Sequence, residues 1–209
     1  PEAPDDVAVC GEYELPPLEV GGYFTQPAGQ GTQLFPGEMI TTTQDIYVYV
    51  DLGTGPNCTD NNFFTVTVTP YPVLAPVEDV FICDNYELPA LAVGTYYTAP
   101  NGTGNVLQPG SFITSTQPVY VYAFNGECIS QEMFTVTIYN TPMVDARSDA
   151  LACESYTLDH LIVGNYFTEP NGQGTPLFEG DEITTTQTIY IFSQSNTNPN
   201  CVGENSFLV

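Results

Sequence analysis

One pattern occurs three times along the 209-residue chain, and it constrains the fold more than any other feature. The copies begin at Cys10, Cys83 and Cys153, which are 73 and then 70 residues apart. Self-similarity at such a period is typical of repeat architectures, in which each copy is one structural unit. We therefore predict three domains with a truncated last strand in the third, within a segment cut from a longer array. They cover residues 1–71, 72–141 and 142–209.

Each copy reads as a series of short β-strands. The segments "DIYVYVD", "PVYVYA" and "TIYIFS" are rich in β-branched and aromatic residues, and "VAVC", "VFIC" and "ALAC" resemble a first strand before the first cysteine. No stretch has a helical apolar period, and 18 prolines and 18 glycines oppose long helices. We predict an all-β fold of three tandem, small immunoglobulin-like β-sandwiches. Proline-bearing connections predict an extended rod.

A glycine-rich stretch, "PAGQGTQLFPG", looks at first like a phosphate-binding loop. It recurs in every copy between two strand-like segments, and neither a lysine nor a helix start follows it. Glycine supplies the positive φ that tight hairpin turns require. The stretch is therefore predicted to be a hairpin turn.

The six cysteines predict disulfides. A unit of about 70 residues buries little apolar area, so small secreted modules commonly add a covalent link. Metal-ligand spacing such as C-x-x-C is missing from the sequence, and the repeat favours one bond within each copy among 15 formal connectivities. The predicted pairs are Cys10–Cys58, Cys83–Cys128 and Cys153–Cys201. Disulfides place the chain in an oxidising, extracellular compartment.

The charge balance excludes several partners. The chain has 25 acidic residues, one arginine and no lysine, which gives a formal net charge of −24. Such a surface repels nucleic acids and anionic membrane headgroups. The sequence also lacks the run of about 18 apolar residues that would predict a membrane-spanning helix. A lysine-dependent isopeptide bond is chemically impossible in this sequence.

Carboxylates at the repeat junctions raise the possibility of calcium. An aspartate lies four residues before each first cysteine: Asp6, Asp79 and Asp149. Some extracellular modules bind Ca²⁺ at domain junctions, which stiffens the array. No D-x-D-x-D-G loop is present, so solvated acids are the favoured interpretation and no other cofactor is predicted.

Aromatic residues recur at alternate positions of the predicted strands "DIYVYVD", "PVYVYA" and "TIYIFS". These residues are Tyr47, Tyr49, Tyr120, Tyr122 and Tyr190. Alternate residues share one face of a strand, so the rings form a stripe that either binds surface polysaccharide or is covered by packing. We favour packing. The sequences that begin at Asn57 and Asn101 match N-glycosylation acceptors, but they are not repeated in every copy, so we interpret them as coincidence.

Nothing in the sequence predicts catalysis. His160 is the single histidine, and its counterparts in the other copies are Pro17 and Ala90. A serine–histidine–aspartate mechanism would depend entirely on it. We predict that the chain is not an enzyme.

One family shows a similar repeat. The string C-x-x-Y-x-L-x-x-L-x-V-G-x-Y-[FY]-T, followed by G-x-G, T-[TS]-T-Q-x-[IV]-Y and a late cysteine before F-[TL]-V, covers essentially the whole chain. It resembles the repeats of giant cell-surface proteins of gliding flavobacteria, the SprB-type gliding adhesins and similar type IX secretion substrates. The resemblance implies a secreted, surface-anchored filament of Ig-like repeats used in adhesion or gliding motility.

Three hypotheses follow. The first is a non-catalytic stalk segment of such an adhesin, whose partners are neighbouring repeats of the same chain. The second is a carbohydrate-binding array that uses the aromatic stripe. The third is a self-assembling extracellular filament in which strand ends exchange between neighbours, as the incomplete last strand at Val209 suggests.

Overall fold

The computed structural model describes residues 1–53 and 58–209, and in these residues the regular structure consists of twenty β-strands. The first repeat contains β1 (Val7–Cys10), β2 (Tyr13–Glu14), β3 (Gly22–Gln26), β4 (Gln30–Leu34), β5 (Met39–Ile40), β6 (Gln44–Asp51) and β7 (Thr59–Thr69). The second contains β8 (Val80–Cys83), β9 (Tyr86–Glu87), β10 (Thr95–Ala99), β11 (Thr103–Leu107), β12 (Phe112–Ile113), β13 (Gln117–Phe124) and β14 (Ile129–Tyr139). The third contains β15 (Tyr156–Thr157), β16 (Asn165–Glu169), β17 (Gln173–Leu177), β18 (Glu182–Ile183), β19 (Thr188–Gln194) and β20 (Val202–Leu208).

The same strand order recurs in all three repeats. The large sheets run β1-β7-β6-β3-β4, β8-β14-β13-β10-β11 and β20-β19-β16-β17, and the two-stranded sheets are β2-β5, β9-β12 and β15-β18. In the first repeat, β7, β6, β3 and β4 therefore lie side by side, while β2 and β5 pair separately. The equivalent strands of the other two repeats follow the same order. This arrangement is that of strands G, F, C and C′ against B and E in immunoglobulin domains. The predicted fold of tandem Ig-like β-sandwich repeats is confirmed.

Alternation along the strands builds each core. In β6, Ile46 and Val48 are fully buried, and they belong to one apolar cluster with Phe64 of β7 and Leu15. The ring of Tyr13, in the two-stranded sheet, packs edge-on against Phe64 with centroids 6.2 Å apart. The third repeat has a matching cluster of Leu158, Tyr166, Ile183, Ile189, Ile191 and Phe207. Burial of these side chains drives each sandwich to close.

The described chain packs as two compact units. The first comprises residues 1–75, 92–95 and 121–132, and the second comprises residues 76–91, 96–120 and 133–209. The first unit therefore holds the first repeat and three short segments of the predicted second repeat, residues 72–75, 92–95 and 121–132, and the second unit holds the rest. The sheets follow the sequence repeats, while the boundaries 1–71, 72–141 and 142–209 stay a prediction about independent domains. None of the described residues forms a helix that is long and apolar enough to cross a membrane.

The glycine-rich stretch is a hairpin turn, as predicted. It joins β3 to β4, and the Gln30 N–H donates to the Pro27 carbonyl oxygen at 3.2 Å. Ala28 and Gly29 have φ values of 55° and 70°, the left-handed pair that a type I′ turn needs. Asn101 takes the position of Ala28 in the second repeat, with φ 59°. The other sequon asparagine, Asn57, lies outside the described residues.

The predicted first strand forms in two repeats only. β1 and β8 pair in parallel with the ends of β7 and β14. The prediction for residues 150–153, "ALAC", is wrong: no strand forms there, although the Ala150 N–H donates to the Leu208 carbonyl oxygen at 2.8 Å. The physical reason is the extent of the partner strand: β1 pairs with Val66–Thr69 of β7, whereas β20 stops at Leu208, the counterpart of Thr65.

Candidate functional site: disulfide bridges between consecutive repeats

Two disulfides join cysteines of consecutive repeats. They are Cys10–Cys128 and Cys83–Cys201, each with Cα atoms 5.6 Å apart and a sequence separation of 118 between the partners. The prediction of one bond inside each copy is therefore wrong. The pairs that it named were Cys10–Cys58, Cys83–Cys128 and Cys153–Cys201. Neither observed bridge includes Cys58 or Cys153.

Strand geometry explains why a bond inside one copy cannot form. Cys10 lies opposite Thr69, the last residue of β7, whereas Cys58 immediately precedes Thr59, its first residue. An extended strand rises about 3.3 Å per residue, so these two cysteines are separated by roughly 36 Å along the strand direction. A disulfide requires Cα atoms within about 7 Å. In the second repeat, Cys83 likewise lies opposite Tyr139 at the far end of β14 from Cys128.

The first bridge is embedded in a polar junction. The Cys128 sulfur lies 3.4 Å from the Thr69 carbonyl oxygen, and the Thr69 hydroxyl donates to the Glu127 carboxylate. The Asn125 side-chain amide donates to the Pro70 carbonyl oxygen at 2.9 Å, and its oxygen accepts the Cys128 N–H at 2.9 Å. The chain leaving β7 is therefore held against the loop before β14 by hydrogen bonds as well as by the disulfide.

The second bridge repeats this arrangement with other side chains. The Cys201 sulfur lies 3.7 Å from the Tyr139 carbonyl oxygen, the counterpart of the Thr69 contact. The Asp84 carboxylate accepts the Thr141 N–H at 2.9 Å and the Thr141 hydroxyl at 2.7 Å. These hydrogen bonds hold the pKa of Asp84 below its usual value, and the bond from the hydroxyl has the larger effect. The hydrogen bonds thus hold Thr141 against Asp84, the residue that follows the bridged Cys83.

The segment that connects the second repeat to the third is hydrogen-bonded to the third repeat. The Asp145 carboxylate accepts the Ile162 and Val163 N–H groups at 2.9 and 3.1 Å, which lowers its pKa. The Arg147 guanidinium donates to the His160 carbonyl oxygen at 2.8 Å and lies 3.6 Å from Asp145. The connecting segment is therefore hydrogen-bonded to the domain that follows it.

The three aspartates considered as calcium ligands share a different role. Their carboxylates accept backbone N–H groups of the last strand in each repeat: Asp6 from Thr65 at 2.7 Å, Asp79 from Thr135 at 2.7 Å, and Asp149 from Leu208 at 2.8 Å. Within residues 1–53 and 58–209, no group of three or more histidine, cysteine or acidic side chains is placed to hold a metal. The repeated aspartate has a structural explanation, and calcium binding stays a prediction.

The predicted aromatic stripe lies on the outer face of the large sheets. Tyr47 and Tyr49 are half-buried; Tyr47 packs on Phe63 with ring centroids 5.7 Å apart, and Tyr49 packs on Phe24 at 6.1 Å. A Cβ atom on Gly29 would lie 2.7 Å from the Tyr49 ring, so this ring covers the hairpin turn. Tyr120, Tyr122 and Tyr190 are also half-buried. Packing accounts for much of the stripe, and Phe63 remains 54 % exposed beside it.

His160 lies on the surface. Its side chain is 72 % exposed, and Nδ1 lies 2.9 Å from a carboxylate oxygen of Glu179, which is itself exposed. A solvated contact of this kind contributes little to stability.

Sequence reasoning missed the pairing of the cysteines although the spacing carried a signal. Separations within a copy vary from 45 to 48 residues, whereas both observed bridges span 118 residues. A constant separation between copies indicates a repeated contact between neighbours. The junction contacts of Asn125 and Asp84 were also missed, because neither residue recurs at the equivalent position of every copy.

Comparisons with known proteins add no family. No protein-family model matches the sequence, and no curated protein matches it. Among solved structures, a titin I-band fragment is 9% identical, with 98% of this chain and 93% of that chain covered and a TM-score of 0.35. Mouse cadherin-23 EC22-24 is 9% identical over 98% of this chain and 94% of that chain, at a TM-score of 0.28. Drosophila N-cadherin EC1-4 is 9% identical over 100% of this chain and 73% of that chain, at 0.26. At these TM-scores the likeness carries no argument, and the fold assignment depends on strand order and core.

Proposed function

We propose that the chain is a non-catalytic, load-bearing stalk segment of a secreted cell-surface adhesin. The observation that carries this proposal is the pair of equivalent bridges, Cys10–Cys128 and Cys83–Cys201, which join each repeat covalently to the next. Disulfides persist in oxidising compartments, which supports an extracellular location. The resemblance to SprB-type gliding adhesins supports attachment or gliding motility as the purpose of the parent protein.

The position of the bridges favours coupling between modules over stabilisation of one module. Cys10 lies beside Thr69, where the backbone leaves the first sandwich, and it is bonded to Cys128 at the start of β14. Two covalent routes therefore leave the same end of the first repeat. Load entering β7 is shared between the connecting backbone and the disulfide, as a stalk under tension requires.

The acidic surface is consistent with this role. A formal charge of −24 repels other copies of the chain at low salt and keeps it soluble. Partners are then neighbouring repeats joined by covalent bonds, with no nucleic acid and no membrane insertion by this segment.

A direct test uses the cells that make the protein. Antibodies against the purified segment should label intact, unpermeabilised cells, and their monovalent fragments should reduce attachment to glass or to polysaccharide-coated surfaces. Labelling that appears only after permeabilisation would contradict the proposal. Fragments of antibodies against an unrelated surface protein serve as the control.

A second candidate is binding of surface polysaccharide by the outer aromatic face. The observation in its favour is the exposure of Phe63 beside the half-buried Tyr47. Glycan-array binding that is lost in a Tyr47→Ala, Tyr49→Ala double variant, and kept in a variant of the exposed Phe35 on another part of the repeat, would favour this candidate. Binding that is absent from the intact chain removes it.

A further inference from the structure

We infer that the overlapping disulfide loops make this segment a cleavage-tolerant tether, from which the distal part is released only when hydrolysis of the backbone and reduction of a disulfide coincide. The loop closed by Cys10–Cys128 and the loop closed by Cys83–Cys201 share residues 83–128. The biological use of this property rests on the proposed stalk function, whereas the property itself rests only on the bridges.

The overlap covers every peptide bond between Cys10 and Cys201. After a cut between Cys10 and Cys83, the pieces stay joined by Cys10–Cys128. After a cut between Cys128 and Cys201, they stay joined by Cys83–Cys201, and a cut between Cys83 and Cys128 leaves both bridges across it. Bonds inside single copies would lack this property, since a cut in either connection would then sever the chain.

The connections are where this protection is needed. Proteases cut most readily at exposed connecting segments, and both connections display large apolar side chains to solvent. Val73 is 83 % exposed in the first connection, and Met143 is 90 % exposed in the second. The overlapping bridges therefore span both connecting segments, where a secreted stalk is most open to proteases, as well as the sandwiches themselves.

Release would need two separate chemical steps. A protease adds one water across a peptide bond, which leaves a new carboxylate and a new amine on pieces that are still linked. A dithiol reductant must then transfer two electrons and two protons to the disulfide that spans the cut, which gives two cysteine thiols and leaves the reductant as a disulfide. Either step alone leaves the tether continuous, so shedding depends on reducing conditions as well as on proteolysis.

The composition offers a sharp experiment. Arg147 is the single basic side chain, so trypsin has one site, which lies in the second connection. We expect trypsin, acting in moderate urea without reductant, to give a product heavier than the intact chain by one water molecule that migrates as one band on a denaturing, non-reducing gel. Addition of dithiothreitol should then release residues 1–147 and 148–209. An Arg147→Gln variant, which trypsin cannot cut, is the control.

Two variants extend the test to both bridges. Val73→Arg combined with Arg147→Gln moves the only tryptic site to the first connection, where Cys10–Cys128 should hold the pieces together. Cys83→Ser with Cys201→Ser, cut at Arg147, should fall into two bands without reductant. Separation of the cut natural chain on the non-reducing gel would overturn the inference. The gel outcome is independent of whether antibodies reach the chain on cells, so failure of the tether and failure of the adhesin proposal are distinguishable.

Discussion

Cys10 lies opposite Thr69 in the parallel pairing of β1 with β7, and this relationship decides which cysteines can bond. It places the first cysteine of a repeat at the end where the chain exits, far from the second cysteine of the same repeat. The first cysteine is then available to the next repeat, where Cys128 meets it. The pairing of Cys10 with Thr69 thus determines which cysteine can reach Cys10.

Removing one bridge should lower stability measurably. Each bridge closes a loop of 118 residues, and the loop-entropy relation gives a contribution of about 4–5 kcal/mol. We expect urea denaturation of a Cys10→Ser, Cys128→Ser variant to show a loss on this scale. The matched control is Cys153→Ser, because Cys153 belongs to neither bridge. This variant should unfold at the same urea concentration as the natural chain. Equal effects of the two variants would contradict the assigned pairing.

The turn glycine beside Tyr49 should tolerate no side chain. Gly29→Ala would place a Cβ atom 2.7 Å from the Tyr49 ring at φ 70°, so both contact and backbone strain oppose it. We expect a loss of about 2–3 kcal/mol in the free energy of unfolding. Gly180→Ala is the control, because Gly180 has φ 89° and no atom of the described residues lies within 4 Å of the added Cβ, so it carries the strain of about 1–2 kcal/mol alone. Equal losses would show that the ring does not cover the turn.

The junction aspartate should add a pH-dependent contribution. Hydrogen bonds from the Thr141 hydroxyl and N–H hold the pKa of Asp84 below its usual value of 3.8, so the folded state favours the ionised carboxylate. This stabilisation is fully present above the pKa of the unfolded chain and is lost as pH falls through the lower folded value. The melting temperature of Asp84→Asn should therefore lie below that of the natural chain at pH 6, and the difference should shrink below pH 3.8.

The difference between the two proteins is the relevant quantity, because protonation of the other carboxylates also relieves repulsion at low pH. Thr141→Val, which removes the hydroxyl donor, should show the same trend with a smaller amplitude. A constant difference between Asp84→Asn and the natural chain from pH 6 to pH 2.5 would contradict the assigned hydrogen bonds.

Substitutions at Asp79 separate a backbone hydrogen bond from a calcium site. The carboxylate accepts the Thr135 N–H at 2.7 Å, a contact that asparagine can keep and alanine cannot. We expect Asp79→Ala to lose about 1 kcal/mol of stability and Asp79→Asn to lose less. Melting temperatures in CaCl₂ and in NaCl at matched ionic strength complete the test. A calcium-specific rise that both variants abolish would instead assign Asp79 as a metal ligand.

Local chemistry made much of the fold predictable from the sequence. The alternation of Ile46 and Val48 with tyrosines predicted a strand with one buried face, and the proline, glycine and asparagine pattern predicted the β3–β4 hairpin. Both signals depend on residues that are close together in the chain. The structure confirmed each of them.

The candidate site was beyond this reasoning, because it depends on which distant strands are neighbours. The parallel pairing of β1 with β7 joins residues about 59 positions apart, and no local pattern specifies it. Without this pairing, the sequence does not show at which end of a repeat its first cysteine lies. Disulfides within each copy were therefore the simplest prediction. The failure of residues 150–153 to form a strand has the same origin, since a strand needs a partner as well as suitable residues.

Disulfide mapping of the purified chain tests the central claim most directly. Thiols are blocked under denaturing conditions, the chain is digested at acidic pH without reductant, and linked peptides are identified by mass spectrometry. The account predicts one linked pair that contains Cys10 and Cys128 and another that contains Cys83 and Cys201. Linked peptides that join Cys10 to Cys58, or Cys83 to Cys128, would contradict it.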